Sequence, residues 1–304
     1  MTLRQWLLLC IPAFFWGSAF ILMKIALPTF SPLVIVTGRM CVAALVLNLI
    51  LRQQDKQWPT DIAIWLECAA LSLINNLVPF GLVVWGQQYI NASLAAILIA
   101  SAPVFTVVIA SVIGKERLTW LRGSGVLLSF SGVVILIGPQ VLQGIDLKGL
   151  GELAMLGAAL CYSLAGFWGQ RFRAVPAELV SAMTITMGAL IVLPILLITG
   201  DPWAALGFVD GSLINWPWAA MLSVVALGVF STAIAYIVYF KLLAEVGVVN
   251  TSLVSFLVPL SALVMSLIFL REQLSLDAIA GMSLILAGLG VLDGRLLKRL
   301  RSFT

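Results

Sequence analysis

The sequence predicts an all-α membrane protein, with ten transmembrane helices arranged as two inverted five-helix repeats. Three observations predict it. Of 304 residues, 62% are apolar and only 10% are charged, whereas soluble domains run at about half and a quarter. Ten stretches are long and apolar enough to cross a bilayer, which takes roughly 20 residues. The second half of the chain also repeats landmarks of the first at an offset of 156 residues.

The ten stretches follow in order. The first, 5–26, starts just after Arg4; it is too long for a signal-peptide core and no small-x-small site follows, so it reads as a helix. The second, 32–51, is set off by Pro28 and Pro32, and the third, 63–85, follows Trp58-Pro59. The fourth and fifth, 92–114 and 121–138, flank Lys115-Glu116, and Gly138-Pro139 closes the fifth. The sixth is 149–170. The seventh, 177–199, lies between Pro176 and Asp201-Pro202. Trp216-Pro217 opens the eighth, 217–240, and 247–270 and 275–293 complete the set.

This composition excludes a soluble globular fold, a disordered chain and a nucleic-acid binder; the net charge of +4 gives no basic patch beyond a short one at the C-terminus. There is no His, which removes His-dependent triads and His-containing zinc sites. Cys10, Cys41, Cys68 and Cys161 are scattered through apolar stretches and read as packing residues. No metal, cofactor or enzymatic activity is expected. An intramembrane enzyme would need a nucleophile, a metal set or paired carboxylates at depth. No P-loop occurs either, so energy must come from a gradient.

Loop charges set the orientation. With the N-terminus in the cytoplasm, 13 of the 17 Lys and Arg fall inside and three outside (Lys24, Lys148 and Arg271), while Arg39 lies within the second span. Both termini are therefore expected to be cytoplasmic.

The 156-residue shift places Pro103 on Pro259, Glu116 on Glu272, Gly125 on Gly281 and Gly132 on Gly288. Lys115-Glu116 meets Arg271-Glu272. Each repeat, 5–138 and 149–294, holds five helices. Five is odd, so the second copy is inserted upside down, and the halves should superpose about an axis in the membrane plane. Such inverted repeats are the hallmark of secondary transporters. A receptor or scaffold has no need of that symmetry.

The chain resembles the EamA-type transporters of the drug/metabolite transporter superfamily. The resemblance rests on the 5 + 5 count, on Phe15-Trp16-Gly17-Ser18-Ala19-Phe20, on Arg39, and on the repeated Pro, Glu and Gly pattern. It implies a central cavity lined by spans 1, 3, 4, 6, 8 and 9. It also implies export of small metabolites, often amino acids, across the bacterial inner (plasma) membrane. The alternative within the superfamily is export of drugs or other metabolites. One departure is that Trp16 of the first half is matched by Tyr162 in the second.

Polar groups at membrane depth usually face protein or water. Asn75-Asn76 lie near the middle of span 3, and the shift sets them on Ser231-Thr232 of span 8. Two polar pairs at matched depth suit a small-molecule site near the midplane. The competing account is helix–helix hydrogen bonding, worth about 0.6 kcal/mol each. Trp16, Tyr162 and Tyr236 could pack an apolar side chain or attract an ammonium group. Arg39 could meet a substrate carboxylate. Lys24 could too, although snorkelling to the headgroups is the stronger reading there. Pro103 and Pro259 each remove a backbone donor and read as kinks or gates. None of the 13 carboxylates falls near a midplane, which predicts a facilitator without a buried proton carrier; Glu67 is the residue that could overturn this by turning into a vestibule.

Overall fold

Apolar residues surround most of the helices because the surrounding solvent is lipid, and the backbone can satisfy itself there only as helix. The computed structural model describes residues 2–54, 57–113, 119–137, 146–172, 175–199, 218–251, 253–273 and 275–293. Among these there is helix and no strand. Lys115, Glu116, the 200–216 segment and the basic C-terminus lie outside the described residues.

Seven helices are long and apolar enough to cross a membrane: α1 (Leu3–Ala26), α2 (Pro32–Gln53), α3 (Ile62–Gly86), α4 (Ala92–Val112), α6 (Leu147–Phe172), α7 (Ala177–Thr199) and α8 (Trp218–Leu243). Three shorter apolar helices accompany them: α5 (Trp120–Leu136), α9 (Val254–Leu270) and α10 (Leu276–Leu292). Their starts have local causes. Thr2 and Gln5 form a capping box on α1. Ser31 accepts from the Val34 amide and Pro32 opens α2. Asp61 and Asp146 accept the Ala63 and Gly149 amides, each at 2.8 Å.

Large apolar side chains remain exposed on the outward faces, including Trp120 at 97%, Leu276 at 83% and Ile198 at 82%. In water such surface would drive association; in a bilayer it meets acyl chains. The protein is a multi-pass membrane protein.

The helices pack in a regular set of pairs. α5 lies along α10 and α2 along α7; α1 packs on α8 and α9, and α6 packs on α3 and α4. α2 also meets α8, α3 meets α7, and α4 meets α9. The α5–α10 pair is held by glycines. A Cβ on Gly288 would sit 2.6 Å from the Gly125 carbonyl oxygen, and one on Gly132 would sit 2.6 Å from that of Gly281. Only bare backbone permits that approach, the membrane equivalent of a small-residue seam.

Among the described residues α3, α8 and α9 each carry a widened turn, that of α9 over Ser266–Leu270, and those of α3 and α8 sit at matched places. α3 is π-helical over Leu73–Leu77 and α8 over Val229–Ile234, intervals that coincide under the 156-residue shift. In α3, Pro79 follows directly and supplies no amide to the ladder. In α8, the Thr232 hydroxyl donates to the Leu227 carbonyl at 2.9 Å, filling a place an amide would otherwise take. α4 breaks between Ile99 and Ala102, with Pro103 in the first turn of the new segment. Pro259 instead sits inside an unbroken stretch of α9, Val254–Met265.

Candidate functional site

The widened turn of α8 packs on α2 and brings Thr232 to it, while that of α3, with Asn75 and Asn76, packs on α6 and α7. Arg39 of α2 is buried, 6% exposed. Its Nε donates to the Thr232 hydroxyl at 2.8 Å, and its guanidinium lies 3.7 Å above the Phe80 ring centroid, a cation–π contact in a desolvated place. The Tyr162 and Tyr236 phenols are within electrostatic reach of it. Among the described residues no carboxylate pairs with Arg39. A buried cation is ordinarily paired; among the described residues this one is held by a hydroxyl and a ring.

The asparagines complete the cluster. The Tyr236 hydroxyl donates to Asn76 Oδ1 at 3.4 Å, and Asn75 Nδ2 donates to the same oxygen at 3.4 Å. Asn76 is fully buried, yet among the described residues its Nδ2 has no partner, and Ser231 Oγ is likewise buried and unpartnered there. Such groups cost free energy unless something else satisfies them. Trp16 of α1 closes one side, with ring centroids 6.1 Å from Tyr236 and 5.2 Å from Tyr239.

Of the residues expected from the sequence, Arg39 meets Thr232, and Asn75, Asn76, Tyr236 and Trp16 form a second linked set; the Tyr162 and Tyr236 phenols reach Arg39 electrostatically. Ser231 is buried beside Thr232, and among the described residues its hydroxyl has no hydrogen-bond partner. Pro103 adjoins the Ala102 carbonyl, which accepts from Ser163 Oγ at 2.6 Å, one residue from Tyr162. Pro259 lies two residues before Ser261, whose hydroxyl donates to the Ala13 carbonyl at 2.7 Å and anchors α9 to α1. Phe80 and Ser261 were not legible as participants; each looks like ordinary membrane packing until a partner from another helix arrives.

Lys24 does not snorkel. Its ammonium donates to the Gln87 and Ile90 carbonyls at 2.7 and 2.9 Å. Glu67 does not turn inward: it pairs with Arg171 at 2.8 Å, with both side chains part-exposed. Glu152, on the second turn of α6, is 2% exposed, so one carboxylate is buried, though toward the helix start rather than its middle. One hollow lies apart from the polar cluster. It is an open, mainly apolar groove between α3 and α6, lined by Leu73, Ile74, Leu164 and Trp168, with Arg171 at one end.

Known proteins place the chain. The model of the EamA-like transporter family matches residues 4–138 and again 149–292. A WAT1-related chloroplastic protein of Arabidopsis thaliana is 26% identical over 294 residues, covering 95% of this chain and 69% of that protein. The uncharacterized transporter YoaV of Bacillus subtilis (strain 168) is 26% identical, covering 90% of this chain and 91% of its own length. A probable terminal-alkyne amino-acid exporter of Streptantibioticus cattleyicolor is 28% identical, covering 94% and 92%. A protein of known crystal structure shares the fold, with a TM-score of 0.67 at 17% identity over 97% of this chain and 99% of that one. Matched twice along nearly its whole length, the chain belongs to the EamA-like transporter family.

Proposed function

We propose that this transporter exports small metabolites, amino acids or related zwitterions, across a bacterial inner membrane, by alternating access around the Arg39 cluster. In this reading the three shorter apolar helices complete ten spans, and 5–138 and 149–294 are two inverted repeats. Both termini are cytoplasmic, as the charge split expects.

The packing supports the repeat reading. Exchanging α1 with α6, α2 with α7, α3 with α8, α4 with α9 and α5 with α10 maps the nine helix pairs named above onto one another, whereas the lesser α1–α4, α4–α5 and α4–α10 contacts have no counterpart of similar extent. The glycine contacts reciprocate, Gly125 with Gly288 and Gly132 with Gly281, as a two-fold axis across an antiparallel pair requires. Two access states then follow from exchanging the halves' conformations.

The observation that carries the substrate reading is the Arg39–Thr232 contact beside Asn76–Tyr236, built by both halves around a buried cation that no carboxylate among the described residues pairs with. A carboxylate would neutralise Arg39, the unpartnered Asn76 amide and Ser231 hydroxyl would take further polar groups, and Trp16 and Tyr236 would pack the remainder of the substrate. The Streptantibioticus relative described as an amino-acid exporter agrees with that chemistry.

Counterflow in proteoliposomes tests this. Vesicles preloaded with each of a panel of unlabelled amino acids should accumulate the matching radiolabelled compound with at least one of them. Accumulation confined to amines or neutral compounds without a carboxylate would contradict the reading.

A further inference from the structure

The substrate site leaves one repeated motif unexplained: the basic–acidic pair that the shift sets twice, of which Arg271-Glu272 lies among the described residues. Arg271 is the one non-glycine described residue with positive φ, 51°. It occupies the left-handed position that ends α9, and the Glu272 amide closes back on the Ser266 carbonyl at 3.3 Å. Glycine is the usual residue there, so a side chain at that place carries strain. The turn aims Glu272 out of its own half and onto the start of α4. One carboxylate oxygen accepts the Ala92 amide at 2.8 Å; the other accepts the Ser93 amide at 3.0 Å and the Ser93 hydroxyl at 2.6 Å. The local cap residue, Asn91, makes no side-chain cap. The first turn of α4 is therefore capped by a residue 180 positions away, through charge-assisted bonds at the positive end of a helix.

Lys24 strengthens the same junction. From the end of α1 its ammonium binds the Gln87 and Ile90 carbonyls of the turn joining α3 to α4, and its charge faces Glu272. Four elements thus meet at one end of the bundle, three from the first half and one from the second. Here the contacts are charge-assisted hydrogen bonds to backbone and hydroxyl groups, whereas the α5–α10 seam is apolar. A seam that must persist suits packing; a contact that must open suits a few exchangeable hydrogen bonds, which water can replace.

We propose that Glu272 is the latch of the outer gate: with Lys24 it holds α9 against the start of α4 in this conformation, and it releases when the cavity opens outward. The word outer rests on the orientation proposed above; the latch itself does not depend on the substrate.

The test measures the gate directly. Ketone-bearing residues placed at exposed Gln88 and Leu276, one in each half, carry spin labels and leave the four native thiols untouched. In nanodiscs the otherwise unaltered protein should give mainly one short inter-label distance. Glu272→Gln and Lys24→Met should each add a longer population, and Glu272→Asp should add less of it. Arg271→Gly should keep the short distance, because glycine accepts the left-handed turn. A single short distance in folded, monodisperse Glu272→Gln protein would overturn the latch. If that variant does not fold, Lys24→Met is read by the same criterion. A membrane-impermeant aminooxy probe should reach the ketone at position 88 in intact cells. Labelling only after lysis would overturn the outer assignment.

Discussion

The Ser129 hydroxyl donates to the carbonyl of Ile285 at 3.4 Å, and the two residues are 156 positions apart. That interval is the repeat offset read from the sequence. A residue that touches its own repeat mate lies close to any axis relating the halves. The proposed two-fold therefore passes through the α5–α10 pair, perpendicular to both helices, with Gly125–Gly288 on one side and Gly132–Gly281 on the other.

Substitution at this seam should act symmetrically. Gly132→Val and Gly288→Val each drive a side chain into backbone, and overpacking costs about 1–3 kcal/mol. Both should lower the thermal midpoint in detergent by similar amounts. Gly166→Ala, where nothing lies within 4 Å, should leave it unchanged. A large effect of one seam glycine and none of its mate would break the symmetry.

Asn76 and Ser231 separate a substrate site from interhelical glue. Asn76 Nδ2 and Ser231 Oγ make no bond within the described protein, so removing them forfeits little stability and spares a desolvation cost. Ser231→Ala should keep a near-native thermal midpoint, and Asn76→Leu, which also removes the Oδ1 acceptor of Tyr236 and Asn75, should lower it modestly; both should raise the KM for the counterflow substrate about tenfold, the equivalent of roughly 1.4 kcal/mol. Lost stability with unchanged KM would assign both residues to packing.

The carboxylates bear on coupling. Glu67 is tied to Arg171, and Glu152 is buried near one end of α6 rather than beside the Arg39 cluster. Flux should persist without a pH gradient, and Glu67→Gln and Glu152→Gln should leave its pH dependence unchanged. If flux collapses without the gradient and Glu152→Gln removes that dependence, Glu152 is a proton carrier and the facilitator reading is wrong.

Much of the scaffold was legible because membrane helices announce themselves by length and composition alone. The polar pair Asn75-Asn76 also stood out, since amides are costly at that depth. The widened turns were not legible: a π turn changes one hydrogen bond and leaves the apolar pattern intact. Lys24 was misread because snorkelling considers only its own helix, whereas the carbonyls it binds lie more than 60 residues away. Glu272 was marked as a repeat landmark, but its role depends on an amide pair in the other half. The Arg39–Thr232 contact, 193 residues apart, escaped for the same reason: each residue was chosen alone, and only folding joined them.

The central claim is that one substrate site is shared between the halves, and a double-mutant cycle on Arg39 and Thr232 tests it most directly. KM is measured by counterflow for the protein itself, Arg39→Lys, Thr232→Val and the pair. Lysine cannot reproduce the guanidinium fork stacked on Phe80, so Arg39→Lys alone should raise KM at least tenfold, the scale of a hydrogen bond to a charged group, about 1.5–3 kcal/mol. Thr232→Val should raise it less, and the pair should fall short of the sum by more than about 0.5 kcal/mol, because both act through one contact. Strictly additive effects, or a KM unmoved by Arg39→Lys, would contradict a site built from both halves.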